Sequence, residues 1–300
     1  MCGICGYISK ENKLDLDAMT DIMIHRGPDD RGTYLKKFNE LNIGLGFRRL
    51  SIIDLSSLGH QPMANEEGTI WIVFNGEIYN YREIKPELIE RGHQFKSNTD
   101  TEVIIHAYEE WGEKCLEKFN GIFAFAIWDE KKKKLFVARD RLGVKPFYYF
   151  SDSDNFVFAS EIKSILESNL IKAEVNIESL PYYLTFLWVP GPQTMFKNIF
   201  KLLPGHYLIW QDNKIEIRQY WDIQPSKYLS FPKKEIERKL LDCLRKTVKK
   251  ELVSDVPLGS FLSGGIDSSI ITTLMTETQN NPVNTFTINF FFFIINSKPR

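Results

Sequence analysis

CGICGYIS, residues 2–9, puts a cysteine directly behind the first methionine and leads at once into an apolar, β-branched run, which reads as a strand. Similar runs recur up to about Trp221, separated by Gly, Asn, Asp and Pro. They are IGLGF (43–47), LSIID (50–54), TIWIVFNG (69–76), FAFAIWD (123–129), KLFVARD (134–140), FVFAS (156–160) and HYLIW (206–210). Two stretches have helical periodicity instead, 101–111 (TEVIIHAYEEW) and 160–168 (SEIKSILES), each opened by a Thr or Ser able to cap free amides. The expected first domain, 2–221, is therefore α+β with antiparallel sheet.

A polar, proline-bearing linker over 222–232 precedes a strongly periodic helix, KKEIERKLLDCLRKTVKKEL (233–252), with Ile, Leu and Val on one face. VPLGSFL (256–262), a Gly-rich turn SGGIDSS (263–269), a helix ending near Glu277 and VNTFTI (283–288) then spell strand, loop, helix, strand. This is the opening of an α/β domain over 233–300. NFFFFIINSKPR (289–300) fits neither element and reads as an altered or truncated end, so this domain is expected to be incomplete and unstable alone.

At 300 residues and 43% apolar content the chain can bury a core in each domain, which excludes disordered and fibrous classes. Thirty-eight basic against 39 acidic residues leave a net charge of −1, so nucleic-acid binding is not expected. The four cysteines are too few and too scattered for a disulfide framework, which suggests a reducing compartment and a cytoplasmic location. There is no charged leader followed by an apolar stretch, and no membrane-spanning run of about 18 apolar residues.

If Met1 is removed, Cys2 carries a thiol and a free α-amine together. An α-amine titrates near ~7.7–8.0, so it can accept the thiol's proton without a histidine. A metal or redox role for Cys2 and Cys5 as a CxxC pair lacks the other ligands a structural zinc needs, and Cys5 is expected to be packed. No metal site is expected from the sequence.

CGICGY (2–7), HRGPDD (25–30), RRLSIID (48–54), GHQPM (59–63), FNGEIYNY (74–81), SNTDTEVI (97–104) and ARDRLGVKPFYY (138–149) together resemble the class II glutamine amidotransferase domain of asparagine synthetases. The resemblance implies an N-terminal-nucleophile fold, an antiparallel β sandwich with helices. It implies Cys2 as nucleophile, with the Asn75 side-chain amide and the Gly76 N–H, in an NGE turn, as oxyanion donors. It places Arg49 on the carboxylate and Asp100 on the ammonium of glutamine, with Glu77 a further polar contact and backbone groups of Leu50, Ser51, Ile52 and Ile53 lining the pocket. Taken singly, Arg49 is an exposed charge, Asp100 a helix cap and Asn75-Gly76 a hairpin turn; their co-occurrence favours function. His25 and His60 are expected to hold loops, His93, His106 and His206 to be structural or surface residues, and Lys131 to Lys134 to form a solvated hairpin tip.

SGGIDSS resembles the pyrophosphatase loop of enzymes that adenylate a carboxylate, the start of an adenine-nucleotide α-hydrolase-like domain. Ser263, Gly264, Gly265, Asp267 and Ser268 match that loop, and Phe261 and Ile288 fall where the family contacts adenine. The implied substrates are glutamine, ATP with Mg²⁺, and aspartate, giving asparagine, AMP and pyrophosphate, with ammonia passing between the domains; a homodimer is compatible. The family extends well beyond residue 288, so this chain is expected to hydrolyse glutamine without completing amide synthesis by itself. Two rivals stay open: an amidotransferase–adenylation ligase with another acceptor, and a non-catalytic remnant.

Overall fold

Alternating side chains give strands one face for a core and one for a cover, and the first two-thirds of the chain uses this twice. The computed structural model describes residues 1–10, 14–224, 231–279 and 282–288. The chain divides into two compact units, Met1–Pro225 and Ser226–Arg300. The first contains β1 (Gly3–Ser9), β2 (Asp30–Phe38), β3 (Leu41–Arg49), β4 (Met63–Ala64), β5 (Ile70–Ile78), β6 (Gly121–Asp129), β7 (Lys134–Arg139), β8 (Tyr148–Ser151), β9 (Asn155–Ala159), β10 (Phe200–Lys201), β11 (His206–Gln211) and β12 (Lys214–Gln219). Its helices are α1 (Leu16–Asp21), α2 (Tyr81–Glu90), α3 (Asp100–Trp111), α4 (Cys115–Lys118), α5 (Ile162–Leu166) and α6 (Leu180–Phe186).

The strands form two six-stranded antiparallel sheets, ordered β10-β8-β9-β1-β3-β2 and β12-β11-β7-β6-β5-β4. Ile4, Ile8, Leu45 and Phe158 of the first sheet meet Val73, Trp128, Val137 and Leu208 of the second in a buried core. The outer face of the first sheet is covered by α1 and α5, where Cys5, Tyr7 and Val157 pack on Met19 and Ile165. On the second sheet lies α3, its Tyr108 ring stacked on Phe136 of β7 at 5.4 Å. The order is helix, sheet, sheet, helix.

Close packing around β1 depends on glycine. A Cβ on Gly6 would lie 2.5 Å from the Gly44 carbonyl and 2.6 Å from the Phe158 ring. Gly6→Ala is expected to destabilise the unit by about 3 kcal/mol, read from a urea midpoint shift.

Four local expectations change. Residues 50–54 are a loop rather than a strand, with Asp54 at φ 54°. Asn75-Gly76-Glu77 is no turn but lies within β5, in its second half. Ser160 does not cap α5; its Oγ accepts the Ile4 amide at 3.1 Å, tying β9's end to β1. Lys134 is buried, bonded to Glu113 at 2.7 Å, while Lys131 to Lys133 stay exposed at the β6–β7 tip. Cys5 is packed as expected, its thiol pushed up to about 11 by burial.

The second unit contains α7 (Lys233–Glu251), β13 (Gly259–Phe261), α8 (Ile266–Thr278) and β14 (Asn284–Phe286). β13 and β14 pair in parallel, the expected strand, loop, helix, strand. Its core is small: Val248, Leu274 and Met275 are buried, whereas Ile236 and Leu240 on the α7 stripe are exposed. Residues 289–300 and the 225–230 part of the linker lie outside the described residues. No helix among the described residues is long and apolar enough to cross a membrane.

Candidate active site

β1 begins one residue after Cys2, so the central strand of the first sheet fixes where the thiol stands. Arg26 Nε donates to the Cys2 carbonyl at 2.9 Å and its NH1 to Glu161 at 3.0 Å, pinning the chain end. Cys2 Sγ accepts the Leu50 amide at 3.4 Å. Burial raises the thiol above its ordinary pKa, while the Leu50 amide, the terminal ammonium and Arg49 pull it down and Asp100 pushes it up. The Met1 ammonium is depressed, first by burial and then by Arg26 and Lys145.

A cavity of about 60 Å³ opens beside the sulfur. Cys2, Arg49, Leu50, Ile52, Ile53, Asn75, Gly76, Glu77 and Asp100 all line it; of the residues expected there, only Ser51 does not, its amide turned to Asp29 at 2.8 Å. Met1 is part of the wall.

Asn75 is 1% exposed, and its Nδ2 has no hydrogen-bond partner among the described residues. Gly76 has a related property, set by register. It stands opposite Phe123, whose own N–H and C=O are bonded to Asp140 on the far side of β6. Gly76 and Phe123 are thus a non-hydrogen-bonded pair, and Gly76's amide points to the other edge of β5. At the same parity the Phe74 amide donates to Gln61 Oε1 at 2.7 Å and the Ile78 amide to Asp100 Oδ2 at 2.9 Å. Between those two, Gly76 presents its N–H along the cavity edge.

Asp100 opens α3, whose N-cap is Thr99, accepting the Glu102 amide at 3.2 Å; Asp100 is therefore not the cap. Burial pushes its carboxyl up to about 7, the Ile78 amide opposing and the Glu77 charge adding to the rise. A carboxyl raised in this way stabilises the fold fully at low pH and loses that contribution as pH climbs from about 4 through 7. Asp100→Asn, which can still accept from Ile78, is expected to raise stability by about 1–3 kcal/mol at pH 8 and little at pH 4. Thermal melts at the two pH values check it.

Arg49 is buried and already bonded to the loop it lies under, donating to the carbonyls of Ser56 (2.9 Å), Asp54 (2.5 Å) and Ile53 (3.4 Å). It thereby builds the 50–56 wall and itself lines the cavity. Two lining residues, Gln61 and Lys145, had no role assigned from sequence, nor had Arg26, which bonds Cys2 without lining the cavity. Gln61 bridges Phe74 and Thr101; Arg26 anchors Cys2; and Lys145 is buried, its amine making no hydrogen bond or ion pair among the described residues and its pKa lowered by burial. Each sits inside a quoted motif, GHQPM, HRGPDD or ARDRLGVKPFYY, and that was the only available signal. His25 and His60 bind Glu161 (2.9 Å) and Asp30 (2.7 Å) on the surface, holding loops.

In the second unit, SGGIDSS joins β13 to α8. Gly264 has φ 81°, and Gly265 is the N-cap of α8, so no side chain at that position caps the helix's first amides. Ser268 Oγ lies 3.1 Å from Ser263 Oγ, and Asp267 sits in the first turn. Phe261 and Ile288 are exposed, Phe261 paired in register with Phe286.

The family model described as glutamine amidotransferase domain matches residues 1–221, and that described as asparagine synthase matches 239–298. Asparagine synthetase [glutamine-hydrolyzing] 3 of Bacillus subtilis (strain 168) is 40% identical, over 97% of this chain and 48% of that protein. Amidase chry2 of Gibberella zeae is 36% identical, over 92% of this chain and 43% of its own length. The chain spans about half the length of the curated relatives it matches. Among solved structures, glutamine phosphoribosylpyrophosphate amidotransferase from B. subtilis has a TM-score of 0.55 at 18% identity, covering 95% of this chain and 65% of that one, a likeness of fold.

Proposed function

Because this chain belongs to the glutamine amidotransferase family and has its α+β N-terminal-nucleophile fold, we propose that it hydrolyses glutamine to glutamate and ammonia at Cys2. One observation carries the proposal: a buried amide donor without an acceptor, Asn75 Nδ2, lines the same cavity as the thiol. Removal of Met1 takes away one wall, enlarging the space, and leaves the α-amine on Cys2. The amine accepts the thiol proton, and sulfur bonds to the side-chain carbonyl carbon of glutamine. Asn75 Nδ2 and the Gly76 N–H hold the oxyanion; the C–N bond then breaks, the amine's proton leaves with ammonia, and water cleaves the thioester. Asp100 and Glu77 face the substrate ammonium, and Arg49 its carboxylate. Intact-mass measurement should show Met1 absent, and an ammonia-release assay should show glutamine turnover; a retained Met1 with no turnover would support the remnant reading instead.

For the whole protein the proposal extends to ATP-dependent amidation of aspartate to asparagine by residues 233–300 together with the further sequence that longer relatives carry, with 2–221 the amidotransferase domain and 222–232 the linker. The uncapped amides of α8 and the open Gly264 bend fit a phosphate group. Ser263, Gly264, Gly265 and Ser268 would hold it, Asp267 would meet its Mg²⁺, and Phe261 and Ile288 would flank the adenine. When bound, ATP supplies the leaving group that activates the acceptor carboxylate. Similarity to Amidase chry2 supports a second reading, the same two halves with another acceptor; aspartate-dependent pyrophosphate release by the full-length protein separates the two. A cytoplasmic location and a homodimer belong to the same proposal.

A further inference from the structure

On the outer side of the first unit, three segments bring two imidazoles and several carboxylates together, and none of them lines the Cys2 cavity. Glu66 comes from the loop before β5, His93 from the turn after α2, and His106 from α3, six residues and hence about 9 Å along the helix from Asp100. Their ligand atoms all lie within 4.8 Å of one another. His106 Nδ1 is 3.7 Å from Glu66 Oε2 and 2.9 Å from Glu109 Oε2, and His93 Nδ1 is 3.8 Å from the same Glu109 oxygen. Donors bound tetrahedrally at ~2.0–2.2 Å stand roughly 3.3–3.6 Å apart, so the 3.7 Å between His106 and Glu66 is close to that of a filled site, and the remaining donor pairs, within 4.8 Å, need to draw in by about 1 Å at most.

The surrounding bonds hold the donors in place. Glu66 Oε1 accepts the Gln94 amide at 3.0 Å, leaving Oε2 toward His106. Glu109 Oε1 accepts from Asn65 at 2.7 Å. His106 is 1% exposed, and its Nε2 has no hydrogen-bond partner among the described residues; Glu102 Oε1 lies 3.9 Å from it. Glu102 is itself fixed by the Lys96 and Ser97 amides at 2.8 and 2.7 Å. A histidine that ligates through Nδ1 carries its proton on Nε2 and commonly turns that N–H to an outer carboxylate. The orphaned nitrogen and the fixed Glu102 stand in that relation. Glu66, Glu102, Glu109 and Glu110 also put four carboxylates around two imidazoles, Glu110 lying 3.5 Å from His93 Nε2 and shared with Arg91. Negative charge is in excess, which suits a dication.

We infer that Glu66, His93 and His106 form a site for one divalent transition-metal ion of the zinc class, with Glu109 beside it and Glu102 orienting His106. Imidazole donors select this class over magnesium or calcium. The test uses the full chain, stripped with chelator, and zinc chloride alone as titrant in calorimetry, with cobalt(II) absorption as a second readout. One equivalent is expected, with affinity falling at least ~10-fold in both His93→Gln and Glu66→Gln, whose side chains are partly exposed, and the visible cobalt band weakening in parallel. Absence of saturable heat and of a cobalt band, or equal binding by wild type and both variants, overturns the inference. That result would leave His106 as an imidazole held by carboxylates alone. The readout needs no glutamine, so it stands or falls separately from the Cys2 proposal.

Discussion

Cys2→Ala is expected to lower ammonia release from glutamine by about 10⁴-fold or more, to the level of buffer, while leaving the fold intact. In the proposed mechanism the loss is large because nucleophile and base are one residue: without sulfur no thioester forms, and the amine has nothing to deprotonate. The structural cost is small by comparison. Sγ accepts one amide, Leu50, at 3.4 Å, so stability should change by about 1 kcal/mol or less. Cys2→Ser, which keeps an oxygen at that place, should recover only a trace of activity. Equal turnover by wild type and Cys2→Ala would remove Cys2 from the chemistry.

Asn75→Ala should reduce kcat by about 10²–10³-fold with little change in KM, since its amide meets the oxygen only once negative charge has developed there. The same variant carries an uncommon second signature. Nδ2 has no partner among the described residues, so its removal deletes an unsatisfied buried donor, and the thermal midpoint should hold or rise rather than fall. Asn75→Asp, placing a carboxylate against the developing oxyanion, should be slower than Asn75→Ala. A fall in kcat with a collapsed melting curve would mean that Asn75 acts by supporting β5.

Much of the candidate site was legible because its residues lie in recognisable strings: Cys2, Arg49, Asn75, Gly76, Glu77 and Asp100 come from four separate stretches and line one cavity. What stayed hidden depended on distant partners. LSIID has the composition of a strand, yet Arg49 gathers the carbonyls of Ile53, Asp54 and Ser56 and bends it into a wall. Asn75-Gly76 has the look of a hairpin turn but lies inside β5, a choice settled by pairing with β6 rather than by local propensity. β2 and β12 escape a reading by pattern because they are edge strands, where charge replaces the apolar alternation. Lys145 has no sequence signal beyond its place in ARDRLGVKPFYY; its burial at the cavity is what sets it apart.

β1 is bonded along both sides, to β3 and to β9, in the interior of its sheet. Amide exchange at residues 4–8 should therefore be among the slowest in the molecule, requiring global unfolding. The reactive end of the chain is thus moored to the part that yields last. Under the proposed function, heat should therefore silence glutamine turnover through the surrounding loops well before Cys2 itself is displaced.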